Sequence, residues 1–293
     1  MPSHSLKLLF IINPGAGKNS IDWPEAINAY FSSLHHTIEL YELPESCDPA
    51  TITEKIKEAS PDKVIAVGGD GTLKLVADCL QGANIPIGLL PAGSANGMAK
   101  ELGISLDPDE ALDIVMYGQP KSIHLVKINN ERCIHLSDIG FNAFVVKKFE
   151  DEDKRGMWGY IKAAWKVLWN YSQMNIEINI DDTRIKRRAA MVVIANATKY
   201  GTGVVINPDG RLDDDRFEIV IVKKVSFAEI FKMRFTHKPY HPAKTEVMQV
   251  RSLKIDSHHK VHFQVDGEYM GKVNSIKAEL IPRALRIIVP KEE

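Results

Sequence analysis

In the first part of the chain, apolar residues fall into short unbroken runs, each followed by a turn and then by helical spacing. Leu6 to Ile12 is the first run and stops at Asn13-Pro14-Gly15, which reads as a buried strand closed by a turn. Trp23 to Leu34 has helical spacing, opened by Asp22 with Pro24 in the first turn, a helix-start signal. Further strands are expected at Thr37 to Leu43, Lys63 to Val67 and Pro86 to Leu90, and helices over 50–59, 72–80, 95–102 and 109–117. Apolar strands alternating with helices predict a parallel sheet covered on both faces.

The pattern changes after about Lys121. Strand-like runs now follow one another over 123–128, 132–138, 174–180, 187–196, 217–222, 246–255, 260–265, 275–281 and 285–289. Helical spacing survives at 142–150, 158–171 and 227–234. This half reads as a β-rich layered domain or sandwich. The expected organisation is an α/β domain over 1–122 and a β-rich domain over 123–293, whose last strand is free to return to the first domain.

Composition narrows the class. The 293 residues are 44% hydrophobic and 26% charged, a globular composition that excludes a disordered, collagen-like or disulfide-stapled chain. The net charge of −1 conceals a segregation: residues 1–125 hold 8 Lys and no Arg against 16 Asp and Glu, and the remainder holds 29 basic against 22 acidic residues. A basic half is suited to phosphates or an anionic membrane surface. Cys47, Cys79 and Cys133 are odd in number and form no C-x-x-C pair, which argues for a reducing compartment and against disulfides or zinc. No apolar window approaches the ~18 residues of a membrane span, so a cytoplasmic location is expected. No basic stripe interleaved with stacking aromatics points to nucleic acid.

Candidate chemistry lies in the glycine turns. Val64 to Val67 ends in Gly68-Gly69-Asp70-Gly71, and a helix opens at Thr72. Glycines let backbone N–H groups approach a ligand, and a helix N-terminus favours phosphate. Asp70 is then placed to engage a phosphate-bound Mg²⁺. Asn13-Pro14-Gly15-Ala16-Gly17-Lys18 follows the first strand and Pro91-Ala92-Gly93-Ser94-Ala95-Asn96-Gly97 the fourth. All three turns fall at carboxyl ends of parallel strands, where open α/β sheets bind ligands. Neither a Walker A loop nor a G-x-G-x-x-G fingerprint is present. An ordinary tight turn would also explain Gly-Gly-Asp-Gly; three such loops together favour a nucleotide.

These residues resemble the diacylglycerol kinase catalytic-domain family, which includes bacterial lipid kinases, sphingosine kinases and ceramide kinases. The likeness rests on Asn13-Pro14-x-x-Gly17, Gly68-Gly69-Asp70-Gly71-Thr72 and Pro91-x-Gly93-Ser94-x-Asn96, followed by Asp138-Ile139-Gly140-Phe141, Arg211-Leu212-Asp213-Asp214 and Asp266-Gly267-Glu268. The resemblance implies a Rossmann-like, NAD kinase/phosphofructokinase-like nucleotide domain followed by a β-sandwich domain. It also implies transfer of the ATP γ-phosphoryl group to a lipid hydroxyl, with Mg²⁺ as cofactor. Asn13, Pro14, Gly15, Gly17, Gly68, Gly69, Asp70, Gly71, Thr72, Ser94 and Asn96 would hold the nucleotide, and Asp70 the catalytic Mg²⁺.

By the same resemblance, Asp266 or Glu268 accepts the proton of the lipid hydroxyl, and the family's base falls on Glu268; read alone, Asp-Gly is also a plain hairpin turn. A structural Mg²⁺ would use the Asp214 carboxylate and the carbonyls of Arg211 and Arg216, with Asp213 and Asp215 beside it. The implied partners are a lipid alcohol and an anionic inner membrane surface, peripherally bound; a homodimer is left open. Trp158, Trp165 and Trp169 share one helical face with Ile161 and Leu168, with Arg155, Lys162 and Lys166 nearby, a basic amphipathic helix suited to a membrane interface, or equally to packing on the β-domain. Two positions depart from the family pattern: Gly97, where many relatives have Asp, and Leu43, near the position at which relatives often place a nucleotide-contacting Thr. Two other readings remain: an NAD kinase-like or other small-molecule kinase, and a catalytically silent nucleotide- or membrane-binding regulator.

Overall fold

A computed structural model of the chain describes residues 5–17, 21–151, 173–200, 203–225 and 241–291. The expected helices over 158–171 and 227–234, with the tryptophan stripe and Lys18, lie outside the described residues. The chain divides into two compact units, one of Met1–Ile123 with Arg283–Glu293 and one of His124–Pro282.

The first unit is built on β1 (Lys7–Ile12), β2 (Thr37–Glu42), β3 (Lys63–Gly68) and β4 (Ile87–Pro91). They lie parallel in the order β4-β3-β1-β2. The end of β14 (Glu268–Val289) adds parallel to β4 through Ile287 and Ile87. β4 is buried throughout, and β1 and β3 beyond their first residue, which is why their sequences are apolar runs rather than alternations. The helices are α1 (Trp23–Phe31), α2 (Pro49–Ala59), α3 (Asp70–Cys79), α4 (Gly97–Glu101) and α5 (Pro108–Tyr117). Asp22, Asp48 and Asp107 cap α1, α2 and α5 by accepting backbone N–H bonds, each with a proline in the first two helical positions. That pairing satisfies an orphan donor and supplies a residue that needs none. Ile27 and Phe31 of α1 and Leu112 and Val115 of α5 close over Phe10 and Ile65.

The second unit is antiparallel. β7 (Leu136–Gly140), β10 (Met191–Ala195), β11 (Phe217–Val222), β12 (Thr245–Val250) and β13 (Ser252–Val265) run in the order β12-β11-β10-β7-β13, followed by β14. β8 (Met174–Ile180) pairs with β13, and β9 (Thr183–Ala189) with β8. β5 (Gln119–Ile128) pairs with β14 and with the short β6 (Glu131–Cys133), and α6 (Phe141–Asp151) follows β7. The α/β-then-β-rich class expected from the sequence is the class observed.

Several expected strand boundaries differ: the run 132–138 is divided between β6 and β7, and 260–265 is the end of β13. The run 187–196 breaks at Ala190, because β9 carries alternating Arg184, Lys186 and Arg188 and pairs only with β8, whereas the apolar β10 pairs with both β7 and β11. The run 246–255 breaks at Arg251 for the same reason, a change of partner strand from β11 to β14. The runs 275–281 and 285–289 are one strand, with Arg283 taking φ 49 within it.

Candidate active site

The turns after β1, β3 and β4 are tied together largely through backbone. Asn13 donates its backbone N–H to the Val67 carbonyl (3.0 Å), and its amide donates to Thr72 Oγ1 (3.1 Å) while accepting from the Gly15 N–H (3.0 Å). A Cβ on Gly17, whose φ is +68, would lie 2.4 Å from the Ala92 carbonyl oxygen, and one on Gly93 would lie 2.4 Å from the Cα of Gly69. A Cβ on Gly68 would lie 2.2 Å from Thr72 Oγ1. These glycines are packing requirements between loops. Pro14, Gly15 and Ser94 lie on the outer, exposed side of the same turns.

Gly71 is different. It is exposed, and apart from the adjoining backbone of its own helix nothing lies within 4 Å of where its Cβ would be. It sits in the first turn of α3, whose leading N–H groups have no intrahelical acceptor and carry the positive end of the helix dipole. An anion can reach that backbone because no side chain covers it. On this observation the residues fit the phosphates of a nucleotide.

Asp70 does more than the sequence suggests. Its two carboxylate oxygens accept the backbone N–H groups of Gly97 (2.9 Å) and Met98 (2.8 Å), so it anchors the start of α4. Each oxygen keeps a further lone pair for a cation. Asn96, at φ 50, accepts the Gly93 N–H (2.9 Å). Gly97 is buried under the Asp70 bond, and Leu43 is buried in the core.

In the second unit, Asp266 and Gly267 have φ 50 and 89 and connect β13 to β14, with Val265 opposite Glu268. This is a two-residue hairpin turn with positive φ at both positions, as Asp-Gly favours. The Asp266 carboxylate accepts from the N–H groups of Ile134 (3.0 Å), His135 (2.9 Å) and Leu136 (3.3 Å) and from Cys133 Sγ (3.3 Å). Glu268 is exposed at the start of β14. The two acids therefore differ: Asp266 is committed to the 133–136 segment, and Glu268 is accessible.

Beneath this turn lies a buried polar group centred on Asp138, a residue of the family motif for which the sequence alone suggests no site role. Asp138 is 1% exposed, and its Oδ2 accepts from Asn142 (2.6 Å), Gln264 (2.5 Å) and Tyr200 (3.1 Å). Burial pushes its carboxyl up to about 6, opposed by those hydrogen bonds. The signal was present: an acid inside the otherwise uncharged strand Leu136–Gly140 is rare unless its burial is compensated.

The acidic loop is only partly gathered. Arg211 Nε meets Asp213 (3.3 Å) and Arg251 meets Asp215 (3.3 Å), while Asp214 accepts the Arg216 N–H (3.3 Å). His124 N–H holds the Leu212 carbonyl (2.8 Å). No group of three or more His, Cys, Asp or Glu able to hold a metal occurs among the described residues. A cation here would rest on Asp214 and backbone carbonyls, hard oxygen donors that suit Mg²⁺.

Residues 7–128 match the diacylglycerol kinase catalytic domain, and residues 137–289 match the YegS C-terminal NAD kinase beta sandwich-like domain. The chain belongs to this family of kinases. It is 26% identical to the diacylglycerol kinase of Staphylococcus epidermidis, over 96% of this chain and 92% of that one. It is 27% identical to a Chromohalobacter salexigens protein named "Probable lipid kinase YegS-like", over 84% and 82% of the two chains. A crystal structure of a diacylglycerol kinase from Bacillus anthracis shares the fold with a TM-score of 0.73 at 18% identity, over 97% of each chain.

Proposed function

We propose that this kinase transfers the γ-phosphoryl group of ATP to a hydroxyl of a membrane lipid, with diacylglycerol as the first acceptor to consider. The observation that carries the proposal is the uncovered backbone at Gly71, within three loops packed too closely for any side chain at Gly17, Gly68 or Gly93. When bound, ATP supplies the phosphoryl group, and Mg²⁺ neutralises its developing charge. The N–H groups around Gly71 and Thr72 hold phosphate oxygens, and Asp70 offers its remaining lone pairs to the cation. Asp214, with the carbonyls of Arg211 and Arg216, holds a second, structural Mg²⁺.

Glu268 accepts the proton of the lipid hydroxyl. It is exposed at the start of β14, whereas the Asp266 carboxylate is held by four donors. The acceptor class is supported by the relatives named as lipid kinases.

The same reading places the protein peripherally at an anionic inner membrane surface. Among the described residues, Arg184, Lys186 and Arg188 project from one face of β9 and are exposed, and no helix is long and apolar enough to cross a membrane. The test is label transfer from γ-labelled ATP to diacylglycerol dispersed in anionic or zwitterionic vesicles. Label should enter the lipid phase, faster on the anionic surface and more slowly as salt rises. Label released only as inorganic phosphate would refute the proposal.

A further inference from the structure

We infer that Asp138 and Gln264 form a buried positioning pair that fixes the Asp266–Gly267 turn and, through it, the carboxylate of Glu268. The inference rests on Glu268 being the base. Gln264 and Asp138 are directly opposite each other on β13 and β7, and each is 1% exposed. The Gln264 amide donates to Asp138 Oδ2 (2.5 Å), and its carbonyl accepts the Gly267 N–H (2.7 Å). Glu268 is the next residue along the chain.

The chemistry of the pair gives it a direction. A primary amide can be turned over with little change of shape, exchanging its donor and acceptor ends. An ionised carboxylate only accepts, so Asp138 admits only the N–H₂ end of Gln264 and directs the carbonyl to Gly267. Asn142 and Tyr200 donate to the same oxygen and hold the carboxylate in that orientation. The Ser137 hydroxyl donates to the Gln264 backbone carbonyl (2.6 Å), which fixes the strand beneath. The turn is thus held from two sides, by Asp266 on the 133–136 segment and by Gly267 on Gln264.

Packing alone does not require a carboxylate here. Asp138 is almost fully buried, and holding a charge there costs stability that an apolar side chain would not. A group kept at such a cost beside a candidate base is better explained by what it orients.

The test uses three variants of the full chain, assayed for transfer at mildly alkaline pH with melting curves alongside. Gln264→Glu sets two carboxylates against each other and should lower kcat about 100-fold, the scale of a small misplacement of a reacting group, with KM for ATP unmoved. In Gln264→Glu with Asp138→Asn, the clash of carboxylates is removed: the new amide donates to the new carboxylate, which still accepts from Gly267. Because that amide nitrogen also faces the Asn142 and Tyr200 donors, the double variant should be at least about threefold more active than Gln264→Glu without reaching the parent. If Gln264→Glu does not fold, Gln264→Met decides, since it deletes both bonds without adding charge and should lower kcat at least about tenfold.

Parental kcat in Gln264→Glu overturns the inference, as does a double variant no more active than a folded single one, or parental kcat in Gln264→Met. Glu268→Gln, assayed beside them, separates the two ideas. Activity in Glu268→Gln sinks the base itself, whereas an inactive Glu268→Gln beside a fully active Gln264→Met sinks only the positioning pair.

Discussion

Glu268→Gln is expected to lose about a thousandfold in kcat, within the range that removing a general acid or base costs. The substitution keeps the shape of the side chain and removes only its ability to take a proton. Because Glu268 is exposed at the start of β14, opposite Val265, its amide should leave the melting temperature nearly unchanged. ATP affinity should also hold, since the loops proposed to hold its phosphates belong to the other unit. Asp266 cannot easily substitute for it, because freeing that carboxylate means releasing three backbone N–H groups and a thiol. Steady-state rates with circular dichroism check the expectation; more than a tenth of parental kcat would place the base elsewhere.

Gly71→Ala should separate binding from folding at the other end of the reaction. Apart from the adjoining backbone of its own helix, no atom lies within 4 Å of the new methyl group, and Gly71 lies inside α3 at a φ that is not positive. Alanine in a helix is more favourable than glycine by about 0.5–1 kcal/mol, so the melting temperature should hold or rise. Yet the methyl covers the N–H groups that would meet phosphate, and KM for ATP should rise about 30-fold or more. Titration of ATP with the melting curve gives both readouts. Unchanged ATP affinity in a stable protein would remove the phosphate from this turn.

The fold class was legible because its signals are local. Asp22-Trp23-Pro24, Asp48-Pro49 and Asp107-Pro108 announce three helices within a few residues each. The uninterrupted Leu8 to Ile12 and Val64 to Val67 announce buried parallel strands. The breaks at Ala190 and Arg251 were not legible, since an apolar run does not reveal that its partner strand changes midway. Nor does a residue type reveal its contact. Gly69 and Gly93 could be named as turn residues, but their backbone approach is a property of two loops 24 residues apart. Asp266 reaches a segment about 130 residues away, and Gln264 reaches Asp138 across 126. For that reason Asp266 and Glu268 read as a pair in the sequence, whereas in the structure the Asp266 carboxylate is bound to the 133–136 segment and Glu268 is exposed.

The measurement that tests the central claim most directly offers γ-labelled ATP and Mg²⁺ to the purified protein with two acceptors in the same vessel, diacylglycerol in anionic micelles and NAD in solution. The account predicts label in the phosphorylated lipid, at a rate that falls with Glu268→Gln and Gly71→Ala alike. Label in the dinucleotide with none in the lipid would contradict it.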